Sequence, residues 1–189
     1  SRYFIFLIYC INKHSKYRYK EWAKNAEALR ILNEKIKLRE IKKLYLCVCI
    51  GKPPKKSGLL QDYMIKDEKK NKVSVLKKQI DGAKTMLTKY RVIDTKDGLS
   101  LVEVDLLTGR THQIRAHMAS VGCPLLGDGK YGTNELNKKF GGYKKQFLYS
   151  YKTVFDFETD AGILSYLKGK GFEAENIWFV DAFNDGTIL

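Results

Sequence analysis

Residues 105–132, "DLLTGRTHQIRAHMASVGCPLLGDGKYG", hold two arginines, two histidines and five glycines in a stretch that begins like a strand and continues like a helix. After the strand, "TGR" turns the chain and Thr111 offers an N-cap. Ile114, Met118 and Val121 recur at helical spacing until Gly122 stops the helix and Pro124 prevents its return. An apolar stripe of that kind fixes the helix against a core. His112, Arg115 and Arg110 then project from its other faces, beside a helix start that itself favours anions. A guanidinium held there pairs bidentately with a carboxylate or a phosphate. "GDGKYG" adds a second tight turn whose backbone N–H groups can approach a phosphate.

The elements that must position these groups read as a sheet-rich α+β domain. "EWAKNAEALRILNEKIKLREIKK" places Ala26, Leu29, Leu32 and Ile36 on one side of an amphipathic helix. "KLYLCVCIG" follows as a strand closed by Gly51 and the "KPPKKSG" loop, with Tyr45 near its start. "YMIKDEKKNKVSVLKK" reads as strand, charged turn and strand, and "AKTMLTKYRVIDTKDGLSLVEVDLL" as two strands joined across "TKDG". The tail from Asp156 carries 7 acidic and 2 basic residues, and it suggests a short helix, a turn and a strand packed on the far side of the sheet.

The 189 residues carry a formal net charge of +14, unevenly spread. Residues 1–92 hold 24 Lys and Arg against 8 Asp and Glu, and residues 93–189 hold 11 against 13. The basic half steers the chain toward phosphates, and a hydrophobic content of 44% excludes a disordered or fibrous class. Cys10, Cys47, Cys49 and Cys123 form no CxxC and have no histidine at zinc-finger spacing. They read as small buried hydrophobes in a reducing compartment. "YFIFLIYCI" is too short to span a bilayer and reads as a buried strand, so a cytoplasmic protein without membrane contact is expected.

"LTGRTHQIRAHMASVGCPLLGDGKYG" resembles the signature of the RluA-type pseudouridine synthases, which convert uridine to its C-glycoside isomer in ribosomal or transfer RNA. "AKNAEALRILNEKIKLREIKKLYLCVCIGKPPKKSG", "VSVLKK" and "GAKTMLTKYRV" resemble that family in order and spacing, so the likeness covers residues 22–155. The resemblance implies a mixed, mainly antiparallel sheet flanked by helices, a monomer acting on RNA, and no metal or cofactor. It divides the chain into a non-matching segment 1–21, a catalytic portion 22–155 and an acidic extension 156–189 of the same domain. It also implies that Tyr45, from a "K-x-Y" strand, stacks on or acts at the target base. By the same resemblance Arg115 is expected to pair with the catalytic aspartate, and Lys43, Arg110, His112, Gln113 and Lys130 to contact RNA. These residue types suit the task, since an aromatic ring can hold a flipped base and a fixed guanidinium keeps a carboxylate ionised.

The family's nucleophilic aspartate belongs to an "R-L-D" motif followed by "T-S-G", and no such motif stands in this chain. Counting back from "AKN" puts Lys13 in its place, with "YRYKEW" where an apolar strand belongs, so the N-terminal part of the fold is incomplete. Two readings follow: a pseudouridine synthase inactive as given, or a catalytically dead RNA-binding module. A third, which sets the resemblance aside, is a basic protein-interaction domain.

Overall fold

The computed structural model describes residues 26–188. The opening strand, Cys10, Lys13 and the rest of segment 1–21 lie outside the described residues. Twelve elements follow in chain order. They are α1 (Ala26–Lys37), β1 (Ile41–Ile50), β2 (Ser57–Asp67), β3 (Lys72–Leu76), β4 (Lys84–Lys96), β5 (Leu99–Leu106), α2 (Gln113–Ser120), α3 (Asn134–Lys139), β6 (Leu148–Phe155), a 3-10 helix (Gly162–Leu167), β7 (Gly171–Glu173) and α4 (Trp178–Asn184). The seven strands run in the order β3-β2-β4-β5-β1-β6-β7, and β2·β3, β2·β4, β4·β5 and β6·β7 pair antiparallel. The expected α+β class, with a mainly antiparallel sheet flanked by helices, is the one observed. The described residues divide into two compact units, one of residues 45–149 with 176–188 and the other of residues 26–44 with 150–175.

In the larger unit the two expected hairpins are present: β2 and β3 join through the charged turn after Asp67, and β4 and β5 join across Asp97 and Gly98, both at positive φ. Val102 and Val104 are fully buried, and Leu99 and Leu101 on the opposite face of β5 are 3% exposed, so this strand is covered on both sides at its start. Cys47, Cys49, Tyr90, Val102, Val104, Ile114, Met118, Cys123 and Leu125 form one core. Cys47 and Cys49 share a strand face with their sulfurs 3.7 Å apart, and all three described cysteines are free and buried. A smaller core of Met64, Val73, Met86 and Ala116 lies on the other flank of α2. The helix is therefore pinned from two sides, which sets the direction of its polar residues.

In the smaller unit α1 buries Ile31, Leu32 and Lys35, with Ala28 and Ile36 partly covered; Ala26 is exposed. Of the expected stripe Leu32 is buried and Leu29 and Ile36 are half-buried, so the expected face is the covered one except at Ala26. Lys35 joins the covered face: its ammonium, though 1% exposed, donates to Glu40 at 2.8 Å and to the Thr159 carbonyl at 2.8 Å. Thr159 in turn donates its hydroxyl and amide to the other Glu40 oxygen at 2.8 and 3.2 Å. With its charge matched and its donors occupied, a lysine can take a core position. The Lys35 hydrogen bond outweighs burial and holds the Glu40 carboxyl below its usual range.

Candidate active site at the start of helix α2

The turn before α2 differs from the expected one in its cap. The N-cap is His112, in the left-handed region at φ 53° and ψ 20°, and Thr111 does not cap. Gln113 supplies the missing acceptor: its Oε1 takes the Arg110 amide at 3.0 Å and the Thr108 hydroxyl at 2.9 Å. Its Nε2 donates to the Leu87 carbonyl and the Thr88 hydroxyl, both at 2.9 Å. Gln113 is 2% exposed, so it acts inside the fold, fastening the "TGRTH" turn to β4. A left-handed non-glycine residue costs of order 1 kcal/mol and persists where its surroundings over-determine it. Here the buried amide of Gln113 on one side and Tyr131 on the other do so.

The second turn, "GDGKYG", closes on the same helix. Arg115 donates Nε and Nη2 to the two oxygens of Asp128 at 2.7 and 2.8 Å, a bidentate pair with side chains 13% and 0% exposed. One Asp128 oxygen also accepts the amides of Lys130 and Tyr131 at 2.9 and 3.1 Å. Burial works to raise the Asp128 carboxyl, but these hydrogen bonds prevail and hold it below its ordinary range. The Tyr131 ring lies 5.1 Å from the Arg115 guanidinium, and its hydroxyl accepts the Val73 amide at 2.9 Å and meets His112 Nδ1 at 3.0 Å. Lys72 Nζ lies 5.7 Å from the same ring. Arg115 is thereby held by a carboxylate in its plane and an aromatic ring beside it.

Behind the helix, the fully buried His117 places Nδ1 2.7 Å from the Thr88 hydroxyl and Nε2 3.3 Å from Asp62. The Thr88 oxygen also accepts from Gln113 Nε2 at 2.9 Å. Burial lowers the His117 pKa, and Asp62 opposes it. Lys77 donates to the same Asp62 oxygen at 2.8 Å. This network joins β2, β4 and α2, with Lys77 just past β3, and gives the "RTHQIRAH" helix a polar anchor inside its apolar seat.

Of the residues picked from the sequence, His112, Arg115 and Lys130 meet through the "GDGKYG" turn. Arg110 is exposed beside them, its Nε 3.3 Å from the Thr85 carbonyl. Tyr45 is half-buried at the margin of the larger core. Lys43 lies in the smaller unit, where burial pushes its pKa down to about 8. Sequence reasoning missed Tyr131 and Asp62 and gave Asp128 only a turn role. The signal was the fixed offset of an acid and an aromatic between glycines, which marks a turn but does not name what the turn grips.

The glycines of that turn are testable. A Cβ on Gly127, whose φ is +76°, would sit 2.0 Å from the Lys145 carbonyl oxygen and 2.7 Å from its carbon. Gly127→Ala should therefore lower stability by about 3 kcal/mol or more, read from the urea midpoint. A midpoint equal to the parent's would show that residue 145 moves freely.

The family described as RNA pseudouridylate synthase matches residues 22–120. The chain is 37% identical over 116 residues to the uncharacterized RNA pseudouridine synthase YhcT of Bacillus subtilis, covering 59% of this chain and 36% of that protein. It is 34% identical over 149 residues to the ribosomal large subunit pseudouridine synthase D of Borreliella burgdorferi, covering 77% of this chain and 42% of that one. The chain thus spans less than half the length of these relatives. In structure it resembles human RNA pseudouridylate synthase domain containing 1, with a TM-score of 0.63 at 20% identity over 85% of this chain and 73% of that one, a likeness of fold. The match over residues 22–120 carries the assignment: the chain belongs to the RNA pseudouridylate synthase family.

Proposed function

We propose that the chain is the RNA-gripping portion of a pseudouridine synthase, which seats a uridine of ribosomal or transfer RNA between Tyr45 and Arg115. The observation that carries this reading is the rigid cationic turn, in which Arg115 is fixed by Asp128 and Tyr131 with Arg110, His112 and Lys130 around it. Tyr45 offers a ring to an extruded base, and the cations bind the backbone on either side. Lys43 and the basic half of the chain add steering. Gln113 serves this site by holding the turn. The partner is RNA, bound by a monomer in the cytoplasm without metal or cofactor. Among the described residues no helix is long and apolar enough to cross a membrane.

Isomerisation requires a carboxylate nucleophile, because the glycosidic bond must break and the detached base must rotate and rejoin through carbon. Asp128 is ill suited to that work, since it is buried, paired bidentately with Arg115 and bound on one oxygen by two backbone amides. That engagement in the turn, with the absence of an "R-L-D" motif, favours a second reading in which the chain as given binds RNA without modifying it.

Fluorescence anisotropy with an RNA hairpin and a DNA duplex of equal length tests the binding. The chain should prefer the RNA, with affinity falling steeply as salt rises. Arg115→Ala should weaken binding at every salt concentration. Replacing Lys69 and Lys70 of the β2–β3 turn by alanine should lower the log–log salt slope by about 0.7–0.9 per lost phosphate contact. Variants and parent binding alike at all salts would remove this surface from the function.

A further inference from the structure

Beside the "GDGKYG" turn, which lends it Gly129, the larger unit carries an open pocket of about 500 Å³. It is lined by Gly129, Asn134, Asn137, Lys138, Gly142 and Lys144, with Tyr143 and Glu135 completing its wall. Its framework is well fixed. Asn137 is 4% exposed, its side chain accepts the Gly127 amide at 2.8 Å, and its carbonyl accepts the amides of Phe140 and Gly142 at 3.1 and 2.9 Å. Tyr143 donates its hydroxyl to the Ile188 carbonyl at 3.2 Å and packs edge-on against Phe147, 4.7 Å between ring centroids. Two of the lining residues present bare backbone. A Cβ on Gly142, at φ +66°, would meet nothing within 4 Å, and one on Gly129 would meet only the Asn134 side chain at 3.8 Å.

Charge tells what such a pocket takes. "NKKFGGYKK" sets Lys138, Lys139, Lys144 and Lys145 around the two-glycine turn, and all four are exposed. Among the described residues none of their side chains joins an ion pair. By contrast Lys66 and Lys77 of the β2–β3 hairpin are neutralised by Glu68 and Asp62. Glu135 is the one acid among the lining residues. A concavity of nucleotide size, walled by amide side chains and bare backbone and rimmed by unpaired ammonium groups, suits a nucleotide within a polyanionic strand. It does not suit an apolar ligand.

We propose that this pocket is a second RNA subsite, which holds a nucleotide flanking the target with its phosphates on Lys138 and Lys144. The proposal rests on the RNA-binding reading above and adds a contact outside the Arg115 cluster. Because Gly129 follows Asp128 directly, a strand held in the pocket runs past the turn that fixes Arg115. The subsite thus sets which flanking sequence or bend is accepted, while Tyr45 and Arg115 receive the target.

The test uses the full chain and a fluorescein-labelled RNA stem-loop. Lys138→Ala with Lys144→Ala should weaken binding on the order of tenfold near 0.1 M salt and lower the salt slope by roughly 1.4–1.8, two phosphates' worth. Asn134→Trp, which fills the pocket without changing charge, should weaken binding comparably and leave the slope as in the parent. Uridine 5′-monophosphate and inorganic phosphate are titrated in parallel, and each should compete only at concentrations far above those of the RNA. If neither variant differs from the parent while Arg115→Ala does, the subsite is overturned and the RNA reading stands. If the parent binds no RNA, both fall. Phosphate competing as well as RNA would make this a small-anion site and overturn the proposal.

Discussion

Incubated with RNA carrying tritium at uridine C5, this chain should release no tritium above background. Forming the carbon–carbon glycosidic bond expels that hydrogen into water, so release reports turnover directly. No "R-L-D" motif stands in the 189 residues, and a site stripped of its nucleophile commonly loses about 10⁴-fold or more, because positioning alone cannot form the covalent or ion-pair intermediate. Asp128 does not substitute, held as it is by Arg115 and two amides. A version in which an "R-L-D" to "T-S-G" segment precedes Ala23 should regain release, and that release should vanish with Tyr45→Phe or Arg115→Ala. Release by the chain as given, abolished by changing Asp128 or another of its own aspartates, would show that the enzyme is intact and the nucleophile misplaced.

The parts of the fold legible in the sequence were those where one local rule decides. Both hairpins announced themselves through charged or "TKDG" turns between β-rich runs, and Gly122 and Pro124 marked the end of α2. The buried face of α1 was read in part: Leu32 and Ile36 turn inward, but Lys35 also enters the core, on the strength of Glu40 and of Thr159, 124 residues away. No local pattern carries a partner at that separation. The same holds at the site. Arg115 was visible as a guanidinium on a polar helix face, but its pairing with Asp128 needs the "GDGKYG" turn to fold back on α2, and the His112–Tyr131 contact needs a left-handed cap that sequence would assign to Thr111. The buried Asp62–His117–Thr88–Gln113 chain was invisible because each member alone looks like a surface polar residue.

Asp128→Ala should be among the most damaging single changes in the larger unit, lowering stability by about 3–5 kcal/mol in urea denaturation. It strands a nearly buried guanidinium and leaves the Lys130 and Tyr131 amides without their acceptor. Arg115→Met should cost less, because Asp128 keeps both amides while methionine fills much of the same space. The asymmetry separates a turn-closing carboxylate from a plain ion pair, in which the two losses would match. Acid sharpens the test. The Asp128 carboxyl is held below its ordinary range in the folded chain, so the stability it contributes is fully present above the unfolded aspartate value of about 3.9 and is lost as pH falls through the lower folded value. The gap between parent and Asp128→Ala should accordingly be constant from pH 7 to about 5 and close below about pH 4. A gap that stays open at pH 2, or an Arg115→Met variant weaker than Asp128→Ala, would mean that packing around the turn, and not its charge, fixes the arginine.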